Sequence, residues 1–449
     1  MRQREIPAWL YRFLPAGSAL VVLLAISWLY RQGQREVYND ILQFWGIVPF
    51  RYPFLDISGW LAAWECARQG IDVVSFDPCD MLFRGYGSSP LWLSAAGVPL
   101  GAANTTAVGW ILDLAFIVSL CLLPPAQRLL ELLLVLAATL STMVVFALER
   151  ANADLLLFLL ALAAGCLAGR GTAARMIGYG LVLVSALLKY YPIMVVIIVF
   201  RERVVLFAAT ALAAAVALAA FWGVYHVEIV RGWAEISTGP YNTDLFAAKN
   251  LPFLIGLLVE NVGVPSRSAA AAGWVVTAGF YVGLVGAALA VCRRLSRLPA
   301  LRAAIAVLPD RERVFMVIGS AVIVGCFFAG QSIGYRGIFL LLVMPGLLAL
   351  SRSAGRELRA LCFGSATVIV LLMWGECLRQ ALDGGFGFWL LREIGWWWSV
   401  SFMMALVADF LRQSPVFQAV SGWLSRHRFA LGDHPKAAGQ RRERGPRYC

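Results

Sequence analysis

The stretch Arg51–Gly70, RYPFLDISGWLAAWECARQG, sets a single carboxylate, Asp56, at the head of an amphipathic helix. If that helix starts at Ile57, then Asp56, Trp60, Ala63 and Ala67 share one side, while Glu65, Arg68 and Asp72 face water. That is the pattern of a helix lying in a membrane interface. A carboxylate there can act as an N-cap, or as a general base that keeps one oxygen free. Three further motifs place charge at the ends of apolar runs: Glu149-Arg150-x-Asn152-x-Asp154, Lys189-Tyr190-Tyr191-Pro192 and Tyr335-Arg336. The first fits a helix–helix turn with local ion pairing, or the polar wall of a pocket in which Arg150 meets an anion. Lys189 can snorkel to the interface, or sit at a broken helix and neutralise a phosphate. Arg336 can likewise snorkel, or hold phosphate oxygens bidentately.

The elements that must position these residues are hydrophobic. The chain is 60% apolar with a mean hydropathy of +0.75, well above the roughly 45–50% of soluble domains. Repeated apolar runs of about 15–25 residues predict an all-α, polytopic membrane protein. Twelve membrane segments are expected, near 13–30, 105–123, 129–148, 153–169, 176–189, 192–200, 204–225, 272–292, 313–329, 337–350, 360–375 and 392–411. The first follows Arg2, Arg4 and Arg12 and lacks a small-x-small cleavage site, so it reads as an uncleaved anchor. Met176–Phe200 is long enough for one helix, but Arg170 and Arg175 precede it and Arg201 and Arg203 follow it. Positive loops belong on the cytoplasmic side, so the chain must turn at Lys189–Pro192, where proline removes a backbone donor.

With that turn, 25 of the 38 Lys and Arg fall on the cytoplasmic side, and both termini lie there. The net charge of +12 is thereby explained by orientation and a basic tail rather than by a nucleic-acid partner. Residues 1–428 are expected to form one domain, with 31–104 as the first outer loop and 429–449 as a disordered cytoplasmic tail. Pro90–Gly101 is too short to span and reads as a re-entrant or surface-lying piece, and Trp396-Trp397-Trp398 as an interfacial belt.

This topology gathers the 31–104 loop, Glu149–Asp154, the Lys189 turn, Thr238–Asn250, Gly330–Arg336 and Glu376–Phe386 at one outer boundary. Cations there run against the orientation bias, so Arg150, Lys189, Lys249 and Arg336 need a reason. Asp77, Cys79 and Asp80 come without a histidine, which argues against a closed zinc site and leaves only a loosely held divalent cation on the carboxylates. No other cofactor is expected. Cys66 and Cys79 share the outer loop, and a disulfide between them is compatible with that compartment.

The run Asp56-Ile-Ser-Gly-Trp60 through Ala-Trp-Glu-Cys-Ala-Arg-Gln-Gly70-Ile-Asp72 resembles the first outer loop of glycosyltransferase family 87. These are polyprenyl-phosphate-dependent integral membrane enzymes, α-mannosyltransferase-like members of the GT-C fold. The resemblance continues through Arg150-Ala-Asn152-Ala-Asp-Leu-Leu-Leu-Phe, Leu188-Lys189-Tyr-Tyr-Pro192, Ala247-Ala-Lys249-Asn250 and Gly334-Tyr335-Arg336-Gly-Ile-Phe-Leu. The family's aromatic-proline-proline element is represented only by Tyr86-Gly-Ser-Ser-Pro90-Leu-Trp, a departure that leaves acceptor geometry and sugar identity open. The resemblance implies inverting transfer of a mannose-like sugar, without a nucleotide, from a polyprenyl-phosphate donor to a lipid or glycan acceptor. It also implies a bacterial inner or plasma membrane, with the active site on the periplasmic or extracellular face. Asp56 would be the base. Lys189 and Arg336, assisted by Arg150 or Lys249, would stabilise the departing phosphate; Asn152 and Asp154 would position the sugar or support the cations, and Tyr190 and Tyr335 would position the sugar or acceptor. Two other classes use similar charges. A transporter or flippase of a lipid-linked sugar predicts mid-membrane charges and paired repeats. A polysaccharide polymerase or ligase predicts a larger late outer loop with clustered arginines, whereas Val227–Ala271 carries only Arg231, Lys249 and Arg267.

Overall fold

The computed structural model describes residues 7–50, 52–234, 245–260, 267–353 and 355–432. The chain opens with α1 (Ala8–Arg31), followed by α2 (Arg35–Phe44), α3 (Leu55–Arg68) and two 3-10 turns, Pro90–Gly97 and Ala102–Asn104. Then come α4 (Thr105–Leu120), α5 (Leu129–Thr139), α6 (Thr142–Arg150), α7 (Ala153–Ala168), α8 (Thr172–Leu188), a 3-10 stretch Tyr191–Arg201 and α9 (Val204–Ala234). The second half holds β1 (Leu245–Phe246), α10 (Asn250–Glu260), α11 (Arg267–Leu295), α12 (Pro299–Ala306) and α13 (Asp310–Ala329). It continues through β2 (Ser332–Ile333), a 3-10 turn Gly334–Phe339, α14 (Leu340–Ser353), α15 (Arg356–Met373), α16 (Gly375–Ala381), α17 (Phe386–Gln413) and α18 (Pro415–Gly432).

Among the described residues, seven helices are long and apolar enough to cross a membrane, and nine spans result if the bent pairs α5–α6 and α15–α16 each count as one. Four shorter apolar helices accompany them: α7, α8, the 3-10 stretch and Asn250–Val259. The molecule is thus an all-α membrane protein, its only described strands being the two-residue pair β1–β2. Helices α13 and α14 are buried nearly throughout, and Gly319 permits their contact, since a Cβ there would lie 2.7 Å from the Phe339 carbonyl. Helices α9 and α11 keep most of their apolar surface outward, as lipid-facing helices can.

The break at Lys189 is present. Helix α8 stops at Leu188, Lys189 is extended (φ −156°, ψ 125°), and the returning arm is a 3-10 rather than an α-helix. At the far ends of the two arms the Arg175 guanidinium donates to both carboxylate oxygens of Glu202, so the chain goes out and comes back. Arg201–Asp310 and Arg352–Glu131 are further ion pairs between segment ends away from Asp56.

Two expectations are corrected. Trp396 and Trp397 are buried in the protein instead of forming an exposed belt, because they face its core: Trp396 is stacked on Phe246 at 4.3 Å and Trp397 lies edge-on to Phe327 of α13. Helix α18 runs to Gly432, past the expected start of the disordered tail; residues 433–449 lie outside the described residues, as do 238–244 of the Thr238–Asn250 patch.

Candidate active site

Asp56 owes its position to a strained residue before it. Phe54 has φ 61° and ψ 34°, a left-handed conformation that is uncommon and costly for an aromatic residue. Its amide donates to the Glu149 carbonyl at 2.7 Å, and its ring lies where a Cβ on Gly109 would come within 2.7 Å. Held so, Phe54 starts α3 at Leu55 and puts Asp56 in the first turn with no capping bond. The expected N-cap role, with a helix beginning at Ile57, is therefore corrected, and the carboxylate is available for other partners. Its Oδ2 accepts from Asn152 Nδ2 at 2.5 Å, and its Oδ1 faces Arg84 Nη1 at 3.8 Å.

Asn152 is set by a second left-handed residue, Ala151 (φ 44°), which ends α6. Asn152 caps α7, its Oδ1 accepting from the Asp154 amide at 2.8 Å, while its amide group reaches Asp56. One side chain thus joins the base candidate to the backbone of Asp154, the residue whose carboxylate holds the cations. Asp154 is fully buried, with Lys189 Nζ on Oδ1 and Arg336 Nε 3.7 Å from Oδ2. Lys189 is aimed by the Pro90–Gly97 turn, which caps the end of α8. There Ser89 Oγ donates to the Leu187 carbonyl at 2.6 Å and Trp92 Nε1 to that of Leu188 at 3.0 Å. Arg336 is aimed by the β1–β2 ladder, since its Nη1 donates to Ser332 Oγ at 3.0 Å on β2. The Tyr191 ring lies 5.2 Å from the Arg336 guanidinium and 5.7 Å from Lys189 Nζ.

The structure brings together Asp56, Asn152, Asp154, Lys189, Arg336 and Tyr335, whose buried ring lies beside Asn152, Asp56 and Lys189. It places the other expected residues elsewhere. Arg150 is buried, paired with Glu149 at 3.0 Å, bonded to the Val48 carbonyl and stacked 3.9 Å over Phe50, so it is occupied as a structural cation. Tyr190 packs edge-on against Trp233, and Tyr191 takes the place by the cations. Asp154, by contrast, is enclosed between the two cations and supports them, one of the two roles expected of it. Lys249 is half-buried and makes no ion pair among the described residues; its neighbour Asn250 meets Gln331, at the start of the loop that carries Arg336. Arg68 is exposed as expected and Glu65 half-buried, and both also hold the 96–102 segment. No protein-family model, curated protein or solved structure matches the chain.

Two residues not assigned to this site from the sequence complete it: Arg84, and Asp80, which the sequence suggests only for a divalent cation. Arg84 lies against Asp56, and Asp80 holds Arg84. Their signal was an Asp–Arg pair at i and i+4 in a loop, easily read as a local turn contact. Burial alone would push the Asp80 carboxyl up, but Arg84 and the backbone donors prevail and hold it below its ordinary 3.8. The carboxylates considered for a divalent cation are engaged: Asp80 by Arg84, and Asp77 by the Cys79 amide. Cys66, Asp77 and Cys79 cluster closely enough for a metal, but the two sulfurs form the expected disulfide, which removes both thiolates. What results is a charge-separated site: Asp56 and its restrained arginine on one side, and two cations sharing one carboxylate on the other.

Proposed function

We propose that this protein is an inverting glycosyltransferase that moves a mannose-like sugar from a polyprenyl-phosphate donor to an acceptor hydroxyl at the outer membrane–water interface. The observation that carries the reading is the link Asp56–Asn152–Asp154, with Lys189 and Arg336 on its far end. A carboxylate with an open oxygen and a pair of cations are thereby held one asparagine apart at the end of an apolar bundle. The chemistry needs no more groups than these. The acceptor hydroxyl gives its proton to Asp56 as its oxygen bonds to the anomeric carbon. The bond from that carbon to the phosphate oxygen breaks, and its electron pair leaves with the phosphate. Charge grows on the phosphate as it departs, next to Lys189 and Arg336, which Asp154 only half neutralises. Tyr335 and Tyr191 border the space between. The nine long or bent spans support a polytopic reading, and a twelve-segment GT-C-like topology would count α7, α8 and the 3-10 arm as well. The polyprenyl chain would lie along the apolar surface beside the broken helix.

The test is incubation of the purified protein in lipid with a panel of polyprenyl-phosphate sugars, following release of free polyprenyl phosphate. Asp56→Asn keeps expression and loses transfer; retention of even a tenth of the activity would remove Asp56 from this role.

A further inference from the structure

We infer that Arg84 is a positioning residue for Asp56, and that Asp80 restrains Arg84 so that one oxygen of Asp56 stays open to the acceptor hydroxyl. The inference rests on the functional reading above and specifies how its base is kept ready. Arg84 Nε and Nη2 donate to Asp80 Oδ2 and Oδ1 at 2.9 and 3.0 Å, a fork-to-fork pair, and Nη2 also donates to the Leu55 carbonyl at 3.0 Å. Nη1, the nitrogen left over, faces Asp56 Oδ1 at 3.8 Å, beyond hydrogen-bond reach. Because Asn152 holds Oδ2, Oδ1 is the oxygen that can take a proton.

The surroundings fix this gap. Asp80 also accepts from the amides of Leu82 and Arg84, so the 80–84 turn is closed on that carboxylate. The neighbouring Cys79 is bridged to Cys66 on α3, the helix that bears Asp56. Gly59 lets the guanidinium lie across α3, since a Cβ there would meet Nη2 at 2.7 Å. Arg84 therefore has two carboxylates within range and is bound to the one that is not used. Without Asp80, the next anion for the guanidinium is Asp56, and closing the 3.8 Å gap would seal the open oxygen. Lys189, Tyr335 and Glu149 also face Asp56, and the substitutions below leave them in place.

The experiment uses the full chain reconstituted in lipid, with polyprenyl-phosphate mannose and released polyprenyl phosphate as the readout. Arg84→Gln lowers kcat at unchanged donor KM, because the guanidinium no longer lies across α3 beside Asp56. Arg84→Lys keeps the charge but not the fork and recovers part of that kcat. Asp80→Asn lowers kcat about tenfold at unchanged donor KM, the equivalent of about 1.4 kcal/mol. The double variant Asp80→Asn/Arg84→Gln is more active than Asp80→Asn alone, a reversal that a merely structural role would not produce. Carbodiimide labelling of Asp56, read by peptide mass spectrometry without turnover, follows the same order: protected in Asp80→Asn and accessible again in the double variant. A double variant no better than Asp80→Asn in either readout overturns the restraint, and an Arg84→Gln protein with the parental kcat overturns the positioning role. An active Asp56→Asn overturns the functional reading instead.

Discussion

Asp154 decides how the two cations of the site behave, although it touches neither lipid nor, on this geometry, sugar. Lys189 and Arg336 are each 22% exposed at the side chain, and Asp154 between them is completely buried. Two like charges are tolerable at such spacing only because a carboxylate lies between, and the surplus positive charge is what a phosphate would find. Asp154→Asn should therefore destabilise the protein by about 3 kcal/mol, because it leaves buried cations uncompensated. Adding Lys189→Met to it should restore much of that loss, since the surplus returns to one charge, while transfer stays absent. Melting temperature and turnover measured on the same preparations separate the two effects; an Asp154→Asn protein as stable as the parent would show that the cations do not depend on it. The sequence made Asp56, Asn152, Asp154, Lys189 and Arg336 legible because each is a polar residue at the edge of an apolar run. Tyr191 was missed in favour of Tyr190 because Lys189 is extended and the following residues are 3-10, which turns the side chains away from an α-helical register. Arg150 makes the local ion pair that its motif allowed, and what the sequence could not say is that both it and Glu149 are buried.

Helix ends, rather than helix faces, build this site. Phe54 and Ala151, both left-handed and both buried in one apolar cluster, aim Asp56 and Asn152 at each other from α3 and α7. The Pro90–Gly97 turn, legible only as a segment too short to span, acts as a side-chain cap on α8. The Trp60–Trp92 ring pair, 4.2 Å apart, fastens it to α3. The remaining fastener is the disulfide. It closes a separation of 13 residues, which in the chain-entropy account contributes about 3 kcal/mol. Because it ties the Asp80–Arg84 turn to α3, at a distance from the α13–α14 core, its loss should act on the site before it acts on the bundle. The variant Cys66→Ser/Cys79→Ser should keep the main thermal transition within a few degrees and lose most of its transfer activity. A variant that transfers at the parental rate would show that the loop holds its shape without the bridge. Alkylation without reductant should leave both cysteines unmodified in the parent.

At the scale of the whole molecule, the order of the segments and the distribution of charge support one orientation. The α8 and 3-10 arms leave the Lys189 turn and meet again at Arg175–Glu202. The far end of α17 reaches the segment after α11, where Arg412 donates to the Ser296 carbonyl. Helix α18 then packs on α9 and on the 3-10 arm that ends in Arg201. The C-terminal helix and the Asp56 site therefore belong to opposite ends of the bundle, and locating one locates the other. The excess of Lys and Arg follows the end that carries Arg175, Arg201, Arg302 and Arg352, which the positive-inside tendency would make the cytoplasmic one, as the proposed function requires. A green fluorescent protein fused to the C-terminus should fluoresce, whereas alkaline phosphatase at the same place should be inactive. Ser94→Cys, exposed on the turn that caps α8, should react with a membrane-impermeant maleimide in intact cells. An active phosphatase together with an unreactive Ser94→Cys would invert the molecule and put Asp56 in the cytoplasm. A reactive Ser94→Cys together with an active phosphatase would put both ends of the chain's polar machinery outside, which this packing of α18 forbids.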